Sequence, residues 1–242
     1  MKITPMKVEL LDHMGSDLTV VNAARVSFHK ESDWEYTADA NGLVINTELS
    51  QGDAKLINYL AKHNHWTPFG HCSLQFRIKA PIFVARQLVK HQVGLVWNEV
   101  SRRYVDEEPE FWFPEAWRSR PEGSVKQGSG SGTVDTVRTL AFDEGFWTGG
   151  PTGELAEYAV RILVRLYNDM IDQGVAPEQA RMILPQNMQT EWWWTGSLAA
   201  FVRVCKLRLD PHAQAETREI AERINALAAP LFPVSWNALL NN

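Results

Sequence analysis

One short span, RQLVKHQVGLVWNEVSRRY (Arg86–Tyr104), concentrates the groups able to do chemistry. It holds the cations Arg86, Lys90, Arg102 and Arg103, the titratable ring of His91, and the polar side chains of Asn98, Glu99 and Ser101. A solvated helix face usually mixes signs. Here cations converge with one carboxylate and small polar groups, a set suited to hold an anion, phosphate above all, while neighbours read an attached ring. Spacing alone leaves that chemistry level with a plainer one, a charged helix end running into a salt-bridged loop.

Other residues invite chemical readings. His63, His65 and His71 in HNHWTPFGH could ligate zinc if carried on strands. No HExxH occurs and no Cys or carboxylate completes the group, so a histidine-based metal hydrolase stands as a third hypothesis and no metal is assigned. Cys72 and Cys205 form no CxxC pair and lie in apolar patterns with no adjacent base, so they read as small buried hydrophobes and not as nucleophiles. No Gly-x-Ser-x-Gly turn surrounds Ser101, which reads as a binder. Ser27, Arg181 and the cluster Arg203, Lys206 and Arg208 each sit on or at the end of an apparent helix.

The elements that must position these groups follow from periodicity. Val8–Leu11 reads as a first strand, Thr19–Phe28 has helical spacing, and Glu31–Gln51 is polar and reads as a loop. Asp53–His63 has the pattern of an amphipathic helix with Leu56, Ile57, Leu60 and Ala61 on one side. Ser73–Ala80 alternates, Leu74, Phe76 and Ile78 against Gln75, Arg77 and Lys79, as a half-buried strand does. Pro81 suits a first helical position, and Arg86 and Lys90 then stand one turn apart. Gly94 breaks the pattern, and Trp97–Tyr104 reads as extended chain carrying side chains into a site. Arg118–Gly153, with KQGSGSGT at its centre, is poor in apolar residues and is expected to be a flexible insertion. Glu154–Gly174 reads as the longest helix, with Tyr158, Ile162, Val164, Leu166 and Met170 on its apolar face. A short helix from Pro177, a strand over Gln189–Thr195, a helix over Gly196–Leu209, a helix opened by Pro211 and a closing helix ending near Leu240 complete the reading.

Composition narrows the function. The chain has 242 residues, 45% hydrophobic and 22% charged, enough to bury a core as a single domain over residues 1–242. A net charge of −5 argues against a nucleic-acid binder. With 2 cysteines and no disulfide framework, no signal-like run in MKITPMKVELLDHMG, and no apolar segment approaching ~20 residues, a cytoplasmic protein without a membrane partner is expected.

The central span resembles the signature of the flavin-dependent thymidylate synthases, the ThyX family. That signature runs Arg-His-Arg, seven residues, then Ser, and closes on a pattern like Asn-Glu-x-Ser-x-Arg-Tyr. Here Lys90-His91-Gln92 is followed by Asn98-Glu99-Val100-Ser101-Arg102-Arg103-Tyr104, with a spacer one residue longer. ARVSF, HWTPFGH, the ARMILP segment and LRLDPHAQAE flank it in the family's order, so the resemblance spans most of the chain.

The resemblance implies an α+β fold, with α/β elements mixed around a central, mostly antiparallel sheet flanked by helices, and active sites at the subunit interfaces of a homotetramer. It implies that dUMP lies across Gln87, Lys90, Glu99, Val100, Ser101, Arg102, Arg103, Arg181 and Arg208. Arg208 would be the catalytic group: a guanidinium against the uracil N3–C4–O4 edge stabilises negative charge there and makes C5 nucleophilic without an enzyme cysteine. FAD would be held by Ser27, His65, Thr67, Lys90, His91, Gln92, Glu99, Ser197 and Arg203, with NADPH as reductant and methylenetetrahydrofolate as one-carbon donor. No GxGxxG is present for a conventional dinucleotide fold. The chain departs from the family at Lys90, which lacks the arginine fork, and at Gln92, Gly70, Ser197 and Ala199. These departures imply a lower flavin affinity or substitute contacts from Arg203 and the insertion. They also motivate the alternative of a dUMP-binding module that has lost flavin turnover.

Overall fold

A four-stranded antiparallel sheet carries the span that the chemistry depends on. The computed structural model describes residues 1–105, 107–121, 128–140 and 147–242. The chain opens with β1 (Lys2–Ile3), β2 (Lys7–Met14), α1 (Asp17–Arg25), β3 (Glu35–Ala38), β4 (Val44–Glu48) and α2 (Gln51–Lys62). Then come β5 (Ser73–Pro81), α3 (Ile82–Leu88), β6 (Leu95–Glu99), β7 (Glu110–Phe111), β8 (Thr136–Leu140) and β9 (Trp147–Pro151). The last part is α4 (Thr152–Asp172), α5 (Pro177–Ala180), β10 (Gln189–Ser197), α6 (Leu198–Arg208), α7 (Ala215–Ala228) and α8 (Pro233–Asn241).

The main sheet has the order β2-β5-β10-β6, every neighbouring pair antiparallel. β5 and β10 form its centre, paired from Ser73↔Ser197 to Pro81↔Gln189. Their alternation does what period two requires: Leu74, Phe76 and Ile78 of β5, and Trp192 and Trp194 of β10, are buried on the helix-covered side. Trp97 on β6 stacks on Trp192 with ring centroids 4.3 Å apart, and Phe201 of α6 meets Phe76 and Trp194 edge-on at 5.0 and 5.2 Å. Such offset and edge-to-face pairs add directional preference to simple area burial.

Two helices grow straight out of this central pair. Pro81 flanks α3 at the N-cap, where its lack of an N–H costs nothing, and is not inside the helix as expected. Ser197 ends β10 and caps α6, its Oγ accepting from the Ala200 N–H at 3.2 Å. Elsewhere, buried Asp17 accepts from the backbone N–H groups of Val234 and Ser235 at 2.8 and 2.9 Å, pinning the start of α8 to α1. Arg25 pairs with buried Asp53, which Ser50 and Ser32 also hydrogen-bond, so α1 and α2 are tied together.

Several expectations need correction. Glu31–Gln51 is not loop throughout, since β3 and β4 form an antiparallel hairpin within it. Pro211 does not open the following helix, because the backbone turns through Pro211–Ala213 and α7 starts at Ala215. On α4 the buried residues are Val160, Val164 and Tyr167, whereas Tyr158, Ile162 and Leu166 are exposed. The expectation of a flexible insertion at Arg118–Gly153 is not among these corrections, and residues 122–127 and 141–146 of it lie outside the described residues. Its described portion is hydrogen-bonded, with Ser119 and Gly132 linked at 2.7 Å, Gly130 and Ser119 at 2.8 Å, and β8 paired with β9.

Candidate active site

The side chains singled out above fall into three groups. The first lies where α3 approaches the ends of α6 and α7. Arg208, in the last turn of α6, donates from Nε to His91 Nε2 at 3.1 Å and from a terminal nitrogen to the Gln87 carbonyl oxygen at 3.4 Å. The local sequence explains the meeting: apolar Leu198, Phe201, Val202 and Cys205 press α6 onto the sheet, and Arg208 emerges half-buried at its end. Burial holds the Arg208 pKa below the usual guanidinium value. Burial first, then the nearby positive charges of Arg208 and Arg203, pushes His91 below the usual histidine value. A neutral His91 is therefore the acceptor, and Arg208 keeps donor N–H groups for a ligand.

The second group lines a cleft of about 800 Å³ beside β10 and β6. Glu99, Val100, Arg102 and Arg181 all line it, and so do Arg77, Lys79 and Arg86, together with Glu107, Glu108, Glu110, Glu178 and Glu191, so the lining mixes both signs of charge. Arg77 is spent on Glu191 and Lys79 on Glu110, whose carboxyl two lysines and Thr4 hold down at about 2 despite its burial. Arg102 donates to the Glu107 carbonyl oxygen, and Arg181 reaches the Glu178 carbonyl oxygen at 3.3 Å. No side-chain hydrogen bond engages Arg86 among the described residues, which leaves its five N–H donors open. Glu99 accepts from Thr190 Oγ1 at 2.7 Å and Trp97 Nε1 at 3.1 Å, so its carboxylate is fixed at the end of β6.

Ser101 and Arg103 occupy the turn after β6. Arg103 Nε lies 3.3 Å from Ser101 Oγ, with its guanidinium carbon 4.9 Å above the Tyr104 ring. Neither lines this cleft, and neither do Gln87, Lys90 and Arg208. Within one chain, then, Arg103, Arg181 and Arg208 do not meet. Helix α3 touches both groups: Arg86 faces the cleft, while the next side chain, Gln87, is bonded to Gln214 and Thr217 of the other group.

The third group comprises the residues assigned to flavin. Ser27, His65, Thr67, Gln92 and Arg203 are exposed, and Lys90 with them. Arg203 donates to the Val93 carbonyl oxygen at 2.6 Å and lines a small cleft of about 240 Å³ with Lys206, Trp66 and Asn64. Gly94, at φ +77°, brings the loop against α6, where a Cβ would lie 3.2 Å from Ala200 and 3.3 Å from the Ser197 hydroxyl. Exposed hydroxyls, cations and rings are the donors and surfaces that a flavin dinucleotide needs. Ser197, however, is engaged as the α6 cap.

The histidine hypothesis finds no support in the geometry. His63 lies tilted against Tyr59 at 4.3 Å and His65 meets it edge-on at 6.0 Å, and no group of three His, Cys, Asp or Glu side chains among the described residues is placed to hold a metal. Both thiols are buried: desolvation and Asp17 push Cys72 up to about 11, and desolvation pushes Cys205 up to about 12.

Sequence reasoning passed over several residues that the structure puts in these groups. Arg86 was noticed as a cation but given no role. Gln214, Glu216 and Thr217 join the Arg208 group through Gln87. The HAQAE segment at His212–Glu216 was the available signal for Gln214 and Glu216.

The chain is similar to known proteins over nearly its whole length. A family model described as "Thymidylate synthase complementing protein" matches residues 9–234. A protein of Thermus thermophilus named flavin-dependent thymidylate synthase is 36% identical over 231 residues, covering 96% of this chain and 74% of that protein. One of the same name from Kosmotoga olearia is 35% identical over 234 residues, covering 97% and 90%. Among solved structures, the UMP/dUMP methylase PolB from Streptomyces cacaoi, bound with 5-Br dUMP, superposes with a TM-score of 0.75 at 30% identity, covering 98% of this chain and 96% of that one.

Proposed function

Since the chain belongs to the thymidylate synthase complementing protein family, the flavin-dependent thymidylate synthases, we propose that it methylates dUMP to dTMP reductively. The observation that carries the reading is the half-buried Arg208, held by His91 and the Gln87 carbonyl with donors to spare, on a chain whose two cysteines are buried with their thiol pKa values pushed up.

Arg208 places positive charge where a uracil ring would gain negative charge, and raises electron density at C5 without a bond to the enzyme. A neutral His91 fixes the guanidinium plane, and Gln87 orients the nucleotide beside it. In the mixed-charge cleft, the guanidinium groups of Arg86, Arg102 and Arg181 are the ones suited to a monophosphate, and bidentate guanidinium–phosphate pairing would set its register. Lys90, Glu99, Val100, Ser101 and Arg103 complete the nucleotide contacts.

Ser27, His65, Thr67, Lys90, His91, Gln92, Glu99, Ser197 and Arg203 would hold FAD, which when bound supplies hydride carriage between NADPH and the pyrimidine. Methylenetetrahydrofolate is the one-carbon donor. The separation of the Arg208 group from the cleft of Arg86, Arg102 and Arg181 within one chain supports sites shared between subunits of a homotetramer, one copy supplying the uracil contacts and another the phosphate contacts.

The test is anaerobic: protein, FAD, NADPH, methylenetetrahydrofolate and dUMP are mixed and dTMP is measured. Product confirms the enzyme. Bound flavin without product favours a nucleotide-binding module that has lost turnover, for which Gln92, Ser197 and Ala199 are the sequence support.

A further inference from the structure

Gln87 is the start of a directional chain of hydrogen bonds that ends at a charge. Its Nε2 donates to Gln214 Oε1, while its Oε1 accepts from Thr217 Oγ1 at 3.2 Å. Gln214 Nε2 donates in turn to Glu216 Oε2 at 3.0 Å. Glu216 Oε1 accepts from Arg118, which also donates to Ser129 Oγ at 2.9 Å within the Gly/Ser-rich insertion. Glu216 and Thr217 are buried, and Gln87 and Gln214 are half-buried.

The polarity of this chain is dictated by its last member. An ionised carboxylate only accepts, so Gln214 must turn its NH2 to Glu216 and its oxygen to Gln87. Gln87 must then present its NH2 to Gln214 and its oxygen to Thr217. Each primary amide could otherwise rotate by half a turn at little cost, since oxygen and NH2 are nearly the same size. What forbids the rotation is a buried negative charge, and what keeps that charge ionised is the Arg118 guanidinium, which holds the Glu216 carboxyl below its usual value against the cost of burial.

We infer that Gln214 and Glu216 are positioning residues for the nucleotide, and that Arg118 anchors them from the insertion. By fixing which amide atom of Gln87 points which way, the relay leaves one N–H and one oxygen lone pair in defined places for uridylate. The inference rests on the nucleotide role proposed for Gln87 and adds to it a role for the insertion distinct from the substitute flavin contacts its sequence suggests.

The test measures dUMP affinity by calorimetry on the full-length, flavin-loaded protein, with thermal midpoint recorded beside it. Gln87→Ala and Gln214→Leu are each expected to weaken dUMP about tenfold, the scale of one lost hydrogen bond to a ligand. Glu216→Gln should do the same, because an amide there no longer imposes polarity. Arg118→Met should weaken binding and Arg118→Lys should restore most of it. The double variant Gln87→Ala with Gln214→Leu should bind no worse than Gln87→Ala alone, since both act through one amide. A merely structural role would instead lower the thermal midpoint and leave affinity alone, or give additive losses in the double variant, and either result overturns the relay. Should Gln87→Ala weaken dUMP while Gln214→Leu and Glu216→Gln do not, the relay fails and the role of Gln87 stands. An unchanged affinity in Gln87→Ala removes both.

Discussion

The Arg208 Nε–H points at His91 Nε2 across 3.1 Å, so the imidazole must keep that nitrogen unprotonated for the pair to exist. A proton on His91 would replace the attraction with repulsion between two cations. The pair is therefore sensitive to acid, with a sign that can be worked out. In an unfolded chain histidine titrates at about 6.5, whereas burial, Arg208 and Arg203 depress His91 in the folded protein. Between the two values the unfolded chain binds the additional proton, so stability rises with pH across that window. The His91 penalty grows as pH falls from about 6.5 toward the folded value. An NMR titration should find the His91 midpoint below the usual histidine value, and Arg208→Ala should move it up. A midpoint at or above the value in a free peptide would refute this account.

Arg181 offers a cleaner test of the phosphate role proposed for its cleft. It is exposed and its one side-chain contact among the described residues is the Glu178 carbonyl at 3.3 Å. Arg181→Ala should leave the thermal midpoint within ~1 °C, since surface substitutions away from special features change little. It should cost about 1.5–3 kcal/mol of dUMP affinity, the range for a hydrogen bond to a charged group, a loss of tenfold or more. Calorimetry that finds wild-type affinity would take Arg181 out of the nucleotide site.

Neither thiol should matter to turnover. Cys72 and Cys205 are buried and shifted toward the protonated form. The double variant Cys72→Ala, Cys205→Ala should still produce dTMP, at a stability cost of about 1–2 kcal/mol for the lost buried volume. Alkylation of the native protein should be slow at both sites and become fast in denaturant. A folded but inactive double variant would point back to a thiol mechanism.

Gly94 should tolerate no side chain. Its φ of +77° strains any L-residue, and the added Cβ meets Ala200 and the Ser197 hydroxyl at 3.2 and 3.3 Å. Gly94→Ala is expected to cost roughly 1–3 kcal/mol from strain alone. Because Arg203 donates to the carbonyl of the preceding Val93, flavin retention should fall with it. Visible absorbance after gel filtration, read against the thermal midpoint, separates flavin loss from unfolding. Unchanged flavin content in a protein that has lost stability would remove the Val93–Arg203 link from the cofactor site.

How much of this was legible in the sequence differs from element to element. β5 was, because its alternation buries Leu74, Phe76 and Ile78 on one face, and α6 was through its apolar run, although burial wraps most of the helix from Leu198 to Cys205. The hairpin of β3 and β4 was not, since its side chains are exposed and polar residues flank Val44 and Ile45 without a core-facing alternation. On α4 the period gave the helix but not its buried side. Tyr158, Ile162 and Leu166 form one apolar stripe and Val160, Val164 and Tyr167 another, and only tertiary contacts choose between them. Arg208 and the residues around Ser101 were marked by motif, yet nothing local told that the former meets His91 while Arg181 lies in a different cleft. The link from Gln87 to Gln214 spans 127 positions and has no local signature.

The ladder joining β5 to β10 acts as a ruler. Its pairing begins at Ser73 and Ser197, ends at Pro81 and Gln189, and launches one helix from each strand's far end. A slip of one step would displace those launch points by about 3.3 Å and turn the tryptophans outward. The gap between guanidinium and imidazole, itself only one hydrogen bond wide, would then be missed. Lesions deep in that ladder should thus silence the protein without touching any group that meets the nucleotide.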